Sequence, residues 1–145
     1  MLRKLMLVPL LLAGCGVTDV DDERVDRLDA ARQRWESNAP ESYSYVFRAS
    51  CECLPSFTSP ARIEVRAGEI ESVVALSDGE PLPSEPYRTI DELFDLIADA
   101  LDAGTADFNV EYDAQYGYPT VISIDYDRQI ADDEFAYWAS ELTAL

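Results

Sequence analysis

Histidine is absent from this chain of 145 residues, and lysine occurs once, at Lys4. Without an imidazole no side chain ordinarily titrates near neutral pH, which removes most proton-shuttle chemistry. Positive charge is scarce throughout: 11 basic residues stand against 29 acidic ones, for a net charge of −18. A chain so acidic is excluded as a general nucleic-acid binder, since phosphate contacts need clustered Lys and Arg. It also lacks a Gly-x-Ser-x-Gly elbow, a phosphate-cradling glycine loop and a Ser-x-x-Lys step, the signatures of common nucleophile and nucleotide chemistry. Hydrolysis by carboxylates alone stays open, but 29 acidic residues make some close pair inevitable, so the count carries no weight.

A membrane-spanning run is missing as well. The apolar stretch Leu5–Leu12 is far shorter than the ~20 residues that cross a bilayer. What surrounds it is informative: Arg3 and Lys4 precede it, and Leu12-Ala13-Gly14-Cys15 closes it. Charge, apolar run, small residues and cysteine in that order read as a lipoprotein signal peptide over residues 1–14, cleaved before Cys15. Cys15 is then the lipidation site and residues 15–20 a tether. Two or more acyl chains give stable anchoring where one does not. The expected location is extracytoplasmic, lipid-anchored at the cell membrane or the outer membrane. Gly16 in place of an aspartate allows outer-membrane sorting where the host has one. Loss of Arg3 and Lys4 makes the mature chain two charges more negative, so membrane association rests on the lipid alone.

The remaining stretch, residues 21–145, has the length of one domain able to bury roughly two-thirds of its unfolded surface. Thr18 or Asp19 can cap a first helix that opens on Asp21, Asp22 and Glu23, carries Val25, Leu28, Ala31 and Trp35 as a stripe, and stops at Asn38 and Pro40. From Ser42 to Cys53 the pattern alternates, with Tyr43, Tyr45, Phe47, Ala49, Cys51 and Cys53 on one face. Pro55 and Pro60 bracket a loop. A second strand sets Ile63 and Val65 inward, a hairpin turns at Gly68, and a third strand places Ile70, Val74 and Leu76 on one face. Thr89-Ile90-Asp91-Glu92 is a capping box for a helix with Leu93, Phe94, Ile97 and Leu101 as its stripe, closed by Gly104.

A fourth strand alternates Phe108, Val110 and Tyr112 with polar residues, Gly117 marks the next turn, and a fifth strand runs over Tyr118–Tyr126. The segment Glu134–Leu142 suits a strand through Phe135, Tyr137 and Ala139, and a helix through its alanines, Glu141 and Leu142; the strand reading is preferred. The fold class that follows is α+β, an antiparallel sheet of about six strands in the order α-β-β-β-α-β-β-β with two helices on one face. The other sheet face stays open and carries Arg48, Arg62 and Arg66, a candidate binding surface unless Glu64 or Glu71 pairs with them.

Several of these residues together resemble a family: the helix end at Trp35, Tyr43–Phe47 leading into Cys51-Glu52-Cys53, the Gly68 hairpin, Asp91-Glu92-Leu93-Phe94, and Gly117-Tyr118-Pro119-Thr120. They look like the bacterial proteins of domain-of-unknown-function family 6174. That resemblance implies small secreted or lipid-anchored proteins in one domain, with no assigned activity.

Cys51 and Cys53 share a strand face, and outside the cytoplasm such a pair favours a local disulfide. Extended geometry puts their alpha carbons near the upper limit for a bridge, so the strand should end or bulge at Glu52. A redox pair and soft-metal coordination are the sharper but less favoured readings, because C-x-C lacks the helix amino terminus that activates C-x-x-C thiols and the chain has no histidine. Asp125, Asp127, Asp132, Asp133 and Glu134 surround one turn and are candidate calcium ligands, though without EF-hand spacing; a solvated loop is the plainer reading. No other cofactor is implied. Of the tyrosines near the fourth-to-fifth strand turn, 112, 118 and 126 are expected in the core and Tyr116 at the surface. The functional expectation is a non-enzymatic binding or accessory module of the cell envelope, its partner another envelope protein or an anionic ligand. The alternative is an envelope thiol-redox factor or a carboxylate-based enzyme.

Overall fold

The computed structural model describes residues 20–53, 55–127, 129 and 134–145. Cys15, Asp132 and Asp133 therefore lie outside the described residues. In chain order the elements are α1 (Val20–Asn38), β1 (Ser42–Ser50), a short α2 (Pro55–Thr58), β2 (Ala61–Arg66), β3 (Glu69–Ala75), α3 (Ile90–Ala103), β4 (Asp107–Tyr112), β5 (Pro119–Asp125) and β6 (Glu134–Ala144).

Local chemistry sets the boundaries. Thr89 caps α3: its hydroxyl accepts from the Glu92 N–H, and the Glu92 carboxylate accepts from the Thr89 N–H at 2.6 Å, so two orphan amides are satisfied reciprocally. Gly104 closes the helix in the left-handed region. Ala67 and Gly68 both take positive φ in the two-residue β2–β3 turn, the twist that lets flanking strands stay paired.

All six strands form one antiparallel sheet in the order β3-β2-β1-β6-β5-β4. Two three-stranded meanders are thus joined through their first and last strands, β1 and β6, and α3 carries the chain from one sheet edge to the other. The inward face supplies Tyr43, Tyr45, Phe47, Ile63, Val65 and Ile122, and the helices close it with Leu28, Ala31 and Trp35 from α1 and Ile90, Leu93, Phe94, Ile97 and Ala100 from α3. The α+β class, strand number and element order expected from the sequence are what is found, and the ambiguous last segment is a strand.

Several local expectations are corrected. β1 stops at Ser50, short of the alternation read as far as Cys53, and the strand end expected near Glu52 for a bridge is found as the next residues turn to close the disulfide. The Pro55–Pro60 loop contains α2. β3 bulges opposite Glu64 and Val65, so Ile70, Val73 and Ala75 turn inward while Leu76 is 46% exposed. Val25 is 43% exposed, and α1 extends its contact beyond its narrow stripe with arginines instead. Arg24 lies over the Phe108 ring at 5.3 Å, Arg27 donates to the Val110 carbonyl at 3.2 Å, and Arg32 covers Phe94 and pairs with Asp95 at 3.0 Å. Tyr126 is 39% exposed rather than buried, whereas Tyr116 packs partly buried against the core.

Candidate functional site

Because α1 and α3 both pack on the inward side, the opposite sheet face is left without a helix. Strand alternation decides what it displays. From β1 come Ser44, Val46 and Arg48, paired in register with Glu64, Arg62 and, across β6, Trp138. Continuing over the sheet, Trp138 is opposite Val121 of β5, and Val121 is opposite Glu111 of β4.

Trp138 is the centre of this face. It lies on a middle strand, is half-buried, and has the Arg48 guanidinium 4.3 Å from its ring centroid. That stacking holds the long arginine side chain flat while leaving its donors toward solvent. Val46 beside them is buried even though it points to the open face, since Arg62 and Ser140 flank it from either neighbouring strand. A shallow depression of about 520 Å³ runs over Val46, Arg48, Val121 and Trp138, with Glu111 and Pro60 among its other lining residues.

The three arginines picked out from the sequence do share this face, but not one state. Arg62 pairs with Glu141 at 3.1 Å, and Arg66 pairs with Glu71 at 2.5 Å. Exposed pairs of this kind contribute little to stability, yet they neutralise charge locally. Glu141 reaches Arg62 from a bulge, where its own φ is +54°. Arg48 has no carboxylate within salt-bridge distance among the described residues and stacks on Trp138 instead. The face is therefore an aromatic and arginine centre with compensated edges, not a broad basic patch.

The other sequence candidates fall elsewhere. Cys51 and Cys53 are bridged, with alpha carbons 5.2 Å apart, at the end of β1. Of the acidic set, Asp125 lies opposite both Asp107 and Glu134 across the sheet, and Asp127 accepts from the Gln129 N–H. Asp125 Oδ1 is buried with no hydrogen-bond partner among the described residues. No group of three or more His, Cys, Asp or Glu side chains converges to hold a metal ion among the described residues.

The deeply buried tyrosines are structural. Tyr43 accepts the Ile90 N–H at 3.0 Å and Tyr45 donates to the Arg88 carbonyl, which pins the entry to α3. Burial pushes both phenols well above their usual range, so they remain neutral hydroxyls. Trp138 was not among the residues picked out from the sequence, although the alternation that sets Tyr137 and Ala139 inward turns it outward.

An α+β fold, one antiparallel sheet with helices over one face and a Trp–Arg pair on the other, is the class of protein that these features define. Residues 27–144 match a family of unknown function, DUF6174, and the chain belongs to that family. Neither the curated proteins nor the solved structures hold a significant match to it. No helix among the described residues is long and apolar enough to cross a membrane.

Proposed function

We propose that this protein is a non-enzymatic binding module of the cell envelope, anchored by lipid on Cys15, which docks a protein partner on its open sheet face. The observation that carries the reading is Trp138 on a central strand with Arg48 stacked over it. Tryptophan and arginine are the residue types most often responsible for binding energy at interfaces, and here they sit together with Val46 and Val121 beside them.

The dimensions support a protein rather than a small anion. Five strand spacings of ~4.8 Å by strands of about 20 Å give roughly 500 Å² of nearly flat surface. With its rim that approaches the ~800 Å² each partner contributes to a standard interface. Two of the three arginines already have carboxylate partners, so an anionic ligand would compete with Glu71 and Glu141. The partner expected is a surface with an apolar centre and one acidic group placed to meet Arg48.

The test is crosslinked capture from native membranes with wild type, Arg48→Glu and Trp138→Ser, each checked for an unchanged melting temperature. One stoichiometric partner, lost with both substitutions, supports the reading. A partner retained by both refutes it. Anchoring is tested separately: Cys15→Ala should move the protein from the membrane fraction to the soluble one.

A further inference from the structure

A second concave feature lies on the other side of the sheet, unrelated to the open face. Phe57, Tyr87 and Tyr137 form one wall of a cavity of about 270 Å³, and Leu82, Pro83 and Pro86 contribute the other. The three rings pack edge to face: Phe57 and Tyr87 are 5.3 Å apart at 64°, and Phe57 and Tyr137 are 6.0 Å apart at 84°. Such rings are held by one another, leaving their remaining faces as fixed apolar surface.

Both walls are pinned. On the proline side, the Leu82 N–H donates to the Val73 carbonyl at 2.8 Å and the Tyr87 N–H to the Ser84 carbonyl at 2.9 Å. On the ring side, Phe57 and Tyr87 are buried, and Cys53 of the disulfide also lines the cavity. A preformed, mostly apolar cleft with a few polar groups is the usual form of a small-molecule site.

Size and charge narrow the occupant. At about 270 Å³ the cleft is larger than the ~150 Å³ apolar cavity that takes up benzene, so a molecule of one or two rings fits. Glu85, exposed, is the one charged residue among the described lining, and the chain is strongly acidic, so an anion is disfavoured. We propose that this cleft is a binding site for a small aromatic molecule without negative charge, seated against Phe57, Tyr87 and Tyr137 and covered by the Leu82–Pro86 segment.

Indole is the probe, titrated into the purified full chain and followed by NMR. The expected result is saturable one-to-one binding, with contacts from indole to the Phe57 and Tyr137 ring protons. Leu82→Trp, which fills the cleft, and Pro83→Trp, at its exposed rim, should each weaken binding at least tenfold, while Trp138→Ser leaves it unchanged. Indole-3-acetate should bind at least fivefold more weakly than indole. Absence of saturable binding, binding unaffected by both tryptophan substitutions, or equal or tighter binding of the acid would overturn the proposal.

Discussion

Gly117→Ala should be among the most damaging single-methyl changes in the domain. The residue has φ +86°, and a Cβ there would lie 2.4 Å from the Ala31 carbonyl oxygen, 3.0 Å from Arg34 Cβ and 3.2 Å from the Trp35 amide nitrogen. Two costs therefore add. Placing an L side chain in the left-handed region costs about 1–2 kcal/mol. The contact with Ala31 is backbone to Cβ, so relief requires α1 to retreat from the β4–β5 turn and loosens Trp35 against Tyr43 and Tyr118. An overpacking cost of about 1–3 kcal/mol is the usual scale for such a shift.

The sum, about 2–5 kcal/mol, is a large part of a typical ~5–15 kcal/mol stability. Gly79→Ala supplies the control, because Gly79 has φ +77° with nothing within 4 Å of the added carbon. It should lose only the backbone cost, about 1–2 kcal/mol. Urea unfolding of the two variants followed by tryptophan fluorescence measures the difference. Equal losses would refute the claim that α1 is seated by close backbone approach at Gly117.

Three further outcomes follow from the same packing. Thr89→Ala removes the α3 cap and should destabilise by about 1 kcal/mol, with Thr89→Ser recovering most of it in the same denaturant assay. The Cys51–Cys53 bridge closes so small a loop that reducing it should cost no more than about 1.5 kcal/mol, read as a small drop in melting temperature on adding reductant. Alkaline pH should destabilise the fold. Burial pushes the Tyr112 phenol up to about 12 from 10.0, against the opposing pull of Arg27 and Arg32, and raises Tyr43 and Tyr45 as well. Each raised group binds its proton more tightly folded than unfolded, so its contribution is complete below pH 10 and is lost as pH climbs toward the folded value. Melting temperature should fall steadily from pH 10 to 12, and a flat profile would count against the buried hydroxyls.

How much of this was legible in the sequence depended on whether the signal was local. The α3 capping box, the Gly68 turn and the Tyr43–Phe47 alternation are short-range patterns, and each element formed where it was read. α1 was legible only in part: its contacts to β4 and α3 run through Arg24, Arg27 and Arg32, and periodicity of apolar residues does not register an arginine stacking on a ring. The β3 bulge moved Val74 to the open face because one extra residue reverses the parity of everything after it. On the candidate face, the three arginines could be placed by counting, but the Arg62–Glu141 pair spans the chain and depends on a bulge that no local pattern announces. The cleft at Phe57, Tyr87 and Tyr137 was invisible for the same reason, since its walls come from three distant segments.

The central claim is that the sheet face bearing Trp138 is the docking surface. Its most direct test is site-specific photocrosslinking in intact cells, with the photoreactive residue placed at exposed Ser140 or Ser123 of the open face and, for comparison, at exposed Asp99 on α3. Adducts to one protein from positions 140 and 123, and none from 99, are predicted. Adducts from 99 with none from the sheet face would contradict it.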